Sequence, residues 1–480
     1  MKPPIYTGVK KYISKQRVLF TTPGHNGKVI LNSKNFCRLD AASSFETDTL
    51  DTPKGYILDS EYQLMKMYKT SHSYYITNGT SCGIMAMIGS VLRPGDKIIV
   101  DRCCHKSVID AIMLNRLIPV FVQRHYNTEL GIFCGIDTYA LETALAANSD
   151  AKAIFITTPT YYGVVSDIEE IAELAYKYNM LLLTDESHGA HLPFAEDLPP
   201  SSIKCGADMV LHNAGETLGS MSGGVILHVN NDTIDLNRVR STVYTYQSPD
   251  TSNAYLCALE NSIYYAQSKS KRYTKLKHEI ERCSTLINDG TDIVWLTEDN
   301  LGNYADDTVD PTRIVLNFAR IGITAQEAAE FMRSKSIEPE AAIGYNVVLV
   351  ASLFNSSHDI RKLMTTIMAI YKQFLKKHIE PLTPEPAIPD INTDVTLACA
   401  PSGTMSAASD IVPPNAVTGR ICKSCVYACP MYVPLIIPGE RINEMHLADI
   451  ERFTANGGYI GGLTSGGDFE VADISSAYGI

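Results

Sequence analysis

Three stretches of this chain combine residue types that do chemistry. In Asn78-Gly79-Thr80-Ser81-Cys82-Gly83, glycines and small hydroxyl residues stand before a helical pattern. Backbone N–H groups at such a helix start can cradle a phosphate; an ordinary N-cap turn uses the same residues. In Leu181-Leu182-Leu183-Thr184-Asp185-Glu186-Ser187-His188-Gly189-Ala190-His191, an acidic residue closes an apolar strand. A carboxylate there could hold a protonated heterocyclic nitrogen or a metal, and the two histidines could stack, donate or coordinate; a solvated strand end is the plainer reading. In Asp101-Arg102-Cys103-Cys104-His105-Lys106-Ser107, His105 could lie across a planar ligand or be a satisfied loop histidine.

The elements that must position these residues follow a strand–helix alternation from about residue 60 to 230. Lys97–Val100, Pro119–Val122, Ala153–Ile156, Met180–Leu183, Met209–Leu211 and Gly224–Val229 read as strands. Cys82–Leu92, Ser107–Leu114, Thr138–Ala147 and Ile168–Tyr178 have helical spacing. The alternation predicts an α/β domain with a largely parallel sheet, whose ligands bind at the carboxyl ends of its strands. Leu256–Leu286 reads as one long helical tract. Arg313–Leu316, Ala325–Ser334, Asn346–Leu349 and His358–Tyr371 predict a smaller α/β unit, and the proline-rich Pro381–Pro389 marks a boundary. The expected divisions are an N-terminal arm (1–38), a large domain (39–265), a small α/β domain (266–378) and a C-terminal domain (379–480).

The 480 residues and 45% apolar content exclude a disordered chain and a small stapled scaffold. With 53 carboxylates against 41 Lys plus Arg, the net charge of −12 argues against a general nucleic-acid binder. Twelve irregularly spaced cysteines, with Cys103 and Cys104 adjacent, fit a reducing compartment. No apolar run is long enough for a signal peptide or a membrane span. The expectation is a cytoplasmic protein without nucleic-acid or membrane partners.

Together the motifs resemble the Orn/Lys/Arg decarboxylase family, pyridoxal-phosphate (PLP) enzymes of fold type I. The resemblance runs through TPGHNGK (22–28), NGTSCG (78–83), RPGDKI (93–98), HKSV (105–108), PTYYGVVSDIEEIAELA (159–175), DESHGAH (185–191), DLPPS (197–201) and GAD (206–208). It resumes at GRI (419–421) and IPGERI (437–442). It implies PLP as cofactor, with Gly79, Thr80 and Ser81 on its phosphate, His105 stacked on the ring, Asp185 on the pyridine nitrogen and His188 near the imine. It also implies a small amine or basic amino acid as ligand, and a dimer.

The sequence departs from the family where the imine should form. The family carries its Schiff-base lysine in a Ser-Thr-His-Lys-Thr-Leu stretch; here the aligned residues are Asn213-Ala214-Gly215-Glu216-Thr217-Leu218. Glu216 replaces the lysine, Gly215 the histidine and Asn213 the phosphate-binding serine. Lys204 stands before the strand, at its wrong end. A carboxylate cannot form an imine. At about 6 Å from a phosphate and an effective dielectric near 20, it costs roughly 3 kcal/mol per charge, on the order of a hundredfold in affinity. Asn26 replaces the lysine usual after TPGH, Ala41–Phe45 replaces an acidic stretch, and the C-terminal GRI segment continues as Cys422-Lys423-Ser424 without its acidic residue. Cys422, Cys425 and Cys429, with Cys399 or a histidine, could hold zinc; small residues filling a rewritten loop is the favoured reading, with no metal.

Three functions are consistent with this. One is a degenerate family member, a structural or regulatory partner that forms a homodimer or a hetero-oligomer with an active paralogue. Another is an active decarboxylase or lyase acting on a basic amino acid with non-covalently held PLP, using Glu216 or His188 as base. The last is a binding module in which Glu216 recognises a cationic amine.

Overall fold

The computed structural model describes residues 4–28, 36–41, 48–248, 250–302, 307–375, 395 and 397–473. The expected Pro381–Pro389 boundary and most of Ala41–Phe45 lie outside the described residues.

Short, mostly apolar runs such as Val225–Val229 and Ala153–Thr157 form strands buried on both faces, as expected for a sheet covered by helices on each side. The order across this seven-stranded sheet is His72–Ile76, Val225–Val229, Met209–Asn213, Leu181–Asp185, Ala153–Thr157, Lys97–Asp101, Ile118–Val122. Only Val225–Val229 runs antiparallel to its neighbours. All six expected strands are present. The seventh, His72–Ile76, was not legible, because its His-Ser-Tyr-Tyr-Ile sequence neither alternates nor forms a wholly apolar run.

The helices form where the sequence gives caps and one apolar face. Ile168–Lys177 starts at Asp167, whose side chain accepts from Glu170 N–H, and buries Ile168, Ile171 and Ala175. Gly79–Val91 lies close on the sheet because Gly83 has no side chain; a Cβ there would meet Leu211 Cδ1 at 2.5 Å. That approach brings the helix start beside the carboxyl ends of the strands.

The expected single tract at Leu256–Leu286 is two helices, Asn253–Ser268 and Lys271–Gly290. Ser268 Oγ donates to the Tyr265 carbonyl at 2.9 Å, a local bond of the kind that competes with helix continuation.

The small unit is a four-stranded antiparallel sheet, ordered Val294–Trp295, Arg313–Asn317, Asn346–Val350, Ala341–Ile343. Trp295, Phe318, Ile360 and Ile367 fill its core. The N-terminal segment joins this unit through Val18–Phe20, which pairs in parallel with Ile337–Pro339. The C-terminal region builds two three-stranded sheets and the helix Glu444–Ala455. A shared core holds Tyr162 of the large unit, Val315 and Val348 of the small one, and Val426 and Ile436 of the C-terminal region. The three regions therefore meet at one place. Among the described residues, no helix is long and apolar enough to cross a membrane.

Candidate functional site

At that meeting point lies a cavity of about 340 Å³, lined by Gly79, Thr80, Ser81, His105, Asp185, His188 and Glu216 among others. Seven of the eight site residues expected from sequence thus face one space. The eighth, Asn213, stands behind it and bridges two of them: its Nδ2 donates to Thr80 Oγ1 at 3.0 Å and to Glu216 Oε1 at 3.1 Å.

Asp185 ends the strand Leu181–Asp185 and is 3% exposed. Its Oδ1 accepts from Ser187 N–H at 3.1 Å and from the Ser187 hydroxyl. Burial pushes this carboxyl up from its ordinary range, and the Ser187 bonds and nearby His188 pull against that rise. His105 caps the helix Lys106–Leu114, its Nδ1 accepting from Ser107 N–H at 3.2 Å. Burial, then Lys106 and His188, push its pKa down to about 4. The ring is therefore neutral at pH 7, and it lies 5.2 Å from that of Tyr432. At the helix Gly79–Val91, Asn78 caps no N–H with its side chain; its amide donates instead to the Tyr246 carbonyl at 3.0 Å.

Glu216 sits on the short helical turn Ala214–Thr217, which Asn213 caps by accepting from Gly215 N–H at 3.0 Å. His188 Nδ1 is 2.6 Å from Glu216 Oε2, and Arg313 Nη1 is 3.7 Å from the same oxygen. Burial alone would raise the Glu216 carboxyl. The ion pair and hydrogen bond with His188, followed by Arg313, outweigh it and hold the carboxyl below its ordinary range. Glu216 is thus an anion locked on three sides. The Thr22–His25 turn closes the fourth, with Gly24 N–H donating to the Gly215 carbonyl at 3.0 Å.

Sequence reasoning missed Arg313, Tyr161, Thr22, Glu340 and Tyr432. Arg313 carried a signal: a lone charge opening the apolar strand Arg313–Asn317 is as informative as Asp185 closing one. Its Nε donates to the Tyr161 carbonyl and its guanidinium lies 4.9 Å from the Tyr161 ring centre. Glu340 accepts from Thr22 N–H at 2.6 Å and from Thr22 Oγ1 at 3.0 Å. His191 turns away into a buried contact with Asp310 and Thr312. Cys422 donates to the Ser424 carbonyl at 3.0 Å, and among the described residues no three His, Cys, Asp or Glu side chains are grouped to hold a metal.

A family model described as Orn/Lys/Arg decarboxylase, major domain, matches residues 3–359. The chain belongs to the Orn/Lys/Arg decarboxylase family. It is 29% identical to an arginine decarboxylase of Bacillus subtilis (strain 168), over 93% of this chain and 92% of that one. The Francisella novicida lysine decarboxylase LdcF shares its fold with a TM-score of 0.77 at 17% identity, over 92% of this chain and 75% of that one. A structure of SPT with PLP superposes with a TM-score of 0.57 at 14% identity, over 75% of this chain and 88% of that one. The fold is the PLP-dependent fold type I, and the family's cofactor is PLP.

The residues present fit only part of that cofactor. A buried carboxylate at a strand end, a neutral histidine and an uncapped helix start match the needs of its ring and phosphate. The aldehyde end does not fit. Among the described residues no lysine lines the cavity, and the position that should supply one holds an ion-paired carboxylate. Lys204 is exposed in the turn that precedes the strand Met209–Asn213, so it lies at the end opposite Glu216.

Proposed function

We propose that this protein is a member of the decarboxylase family that has lost Schiff-base chemistry and serves as a structural or regulatory partner, as a homodimer or in a hetero-oligomer with an active paralogue. The observation that carries this reading is Glu216, an anion 2.6 Å from His188 where the imine-forming amine belongs. The wider reading includes the four-part division at 1–38, 39–265, 266–378 and 379–480. It also includes a cytoplasmic location, for which the adjacent Cys103 and Cys104 are the sequence support.

The test is an absorbance titration of the purified protein with PLP, with Glu216→Lys alongside, and release of carbon dioxide from arginine, lysine and ornithine. The expected result is no imine band and no turnover in the natural chain, with a band gained in the variant. Turnover by the natural chain overturns the reading.

A second reading is favoured by the intact ring cradle of Asp185, Ser187 and His105. In it, PLP is held non-covalently on Asp185, His105 and Thr80, and the protein decarboxylates a basic amino acid. An absorbance change that needs both PLP and an added amine supports this alternative; no change across arginine, lysine and ornithine removes it.

A further inference from the structure

In the C-terminal region the strands Val426–Cys429 and Val433–Ile436 form a hairpin whose turn, residues 430–432, reaches the cavity. Pro430, Met431 and Tyr432 all line that space, and Tyr432 is 43% exposed, so its ring stands at the rim. Tyr432 holds φ at 56°, in the left-handed region that favours glycine. Among the described residues eight non-glycine residues have positive φ; Tyr432 is the only aromatic one and the only one that lines the cavity. A glycine would make the same turn without strain, so the turn itself does not call for this side chain. A strained bulky residue of this kind is characteristic of ligand sites and switches.

The contacts of the ring give its use. Its centre lies 5.2 Å from that of His105, with the planes at 43°, and 5.6 Å from that of Tyr427, with the planes at 23°. Lys106 Nζ lies 5.6 Å from the Tyr427 ring centre, and Lys106 N–H donates to the Tyr432 carbonyl at 2.8 Å. Tyr432 is thus held by the hairpin on one side and by the start of the helix Lys106–Leu114 on the other. His105 and Tyr432 both line the cavity, so they meet inside it. Rings 5.2 Å apart are in direct contact. A third ring stacked between them would need about 7 Å, twice the ordinary carbon–carbon separation.

We propose that Tyr432 is a gate whose ring occupies the stacking face of His105, so that a flat ring ligand reaches His105 only by displacing it. An acyclic anion at the helix start Gly79–Ser81 does not meet the gate. Tyr432 therefore lowers the affinity of the cavity for flat heterocycles and leaves the phosphate end untouched. Its exposure gives the ring a way out, since it can swing into solvent without crossing packed core. The gate acts whether or not an imine forms at this site.

The test is calorimetric titration of the purified full chain with pyridoxine 5'-phosphate, a flat ring without an aldehyde, and with inorganic phosphate as the acyclic probe. Tyr432→Ala removes the ring and keeps the strained position, Tyr432→Gly removes both, and Tyr432→Phe keeps the ring. The alanine and glycine variants are expected to bind pyridoxine 5'-phosphate roughly three- to tenfold more tightly than the natural chain, the worth of one aromatic pair. Tyr432→Phe should match the natural chain, and all four chains should bind phosphate alike. The glycine variant relieves the strain, so the comparison stands if the alanine variant fails to fold. Unchanged or weaker ring binding in the glycine variant, an equal gain for phosphate, or a phenylalanine variant that behaves like the glycine one would each overturn the inference. So would the failure of all four chains to bind pyridoxine 5'-phosphate at millimolar concentration. An imine band or carbon dioxide release by the natural chain with PLP overturns the proposed function instead and leaves this comparison intact.

Discussion

His188 Nδ1 and Glu216 Oε2 lie 2.6 Å apart although 28 residues separate them in the chain. The pair joins the loop after one central strand to the turn after the next, and it fixes Glu216 as an anion. Its contribution to stability is therefore pH-dependent. A carboxyl held below its ordinary value of 4.5 stabilises the fold fully above that value, and the stabilisation is lost as pH falls through the folded-state value. Glu216→Gln should flatten this part of the acid limb. Urea midpoints measured from about pH 6 to pH 3 check it: the natural chain should lose more stability over that range than the variant.

Asn213 ties three groups, accepting from Gly215 N–H and donating to Thr80 and Glu216. Asn213→Ala removes the cap of the Glu216 turn and should cost about 1–2 kcal/mol in chemical denaturation. Asn213→Asp keeps the cap but sets a second carboxylate beside Glu216. It should be the less stable of the two near neutral pH, with the order reversing as both acids protonate.

Asp101 and Arg124 form an ion pair inside the protein, at 0% and 2% side-chain exposure, with Nε donating to Oδ2 at 2.9 Å. Arg124→Met leaves Asp101 as an uncompensated buried charge and should cost about 3–5 kcal/mol. The double variant Asp101→Leu, Arg124→Met should be more stable than that single variant, because both charges then leave together. A double-mutant cycle on denaturation midpoints measures the difference.

Gly24 packs on the backbone of Glu216, and a Cβ there would collide with the Glu216 carbonyl oxygen. Gly24→Ala should push the Thr22–His25 turn off the site at a cost of about 1–3 kcal/mol. Faster proteolysis within residues 14–28, with the sheet's amide protection unchanged, is the expected signature.

Much of this was legible in the sequence because its cause is local. Apolar runs bounded by turns gave six of the seven central strands, and capped amphipathic segments gave their helices. Asp185 announced itself by closing an apolar strand, and an open parallel sheet brings such strand ends together. Glu216 was legible as a chemical fact, since no fold can turn a carboxylate into an amine.

What the chain order could not show is what Glu216 meets. His188 follows one strand, Asn213 ends another, Arg313 opens a strand of a different sheet nearly 100 residues on, and Gly24 comes from the N-terminal segment. Hydrophobic burial, which is non-directional, brings the three regions onto a shared core. Only that packing sets the 2.6 Å contact with His188 and the 3.7 Å gap to Arg313. The sequence by itself determined that a carboxylate, Glu216, stands where the family resemblance places a lysine. The tertiary structure decided that the replacement is a charged, anchored acceptor held by His188 and Asn213 with Arg313 nearby, because ionisation state and hydrogen-bond reach depend on neighbours in space rather than in sequence.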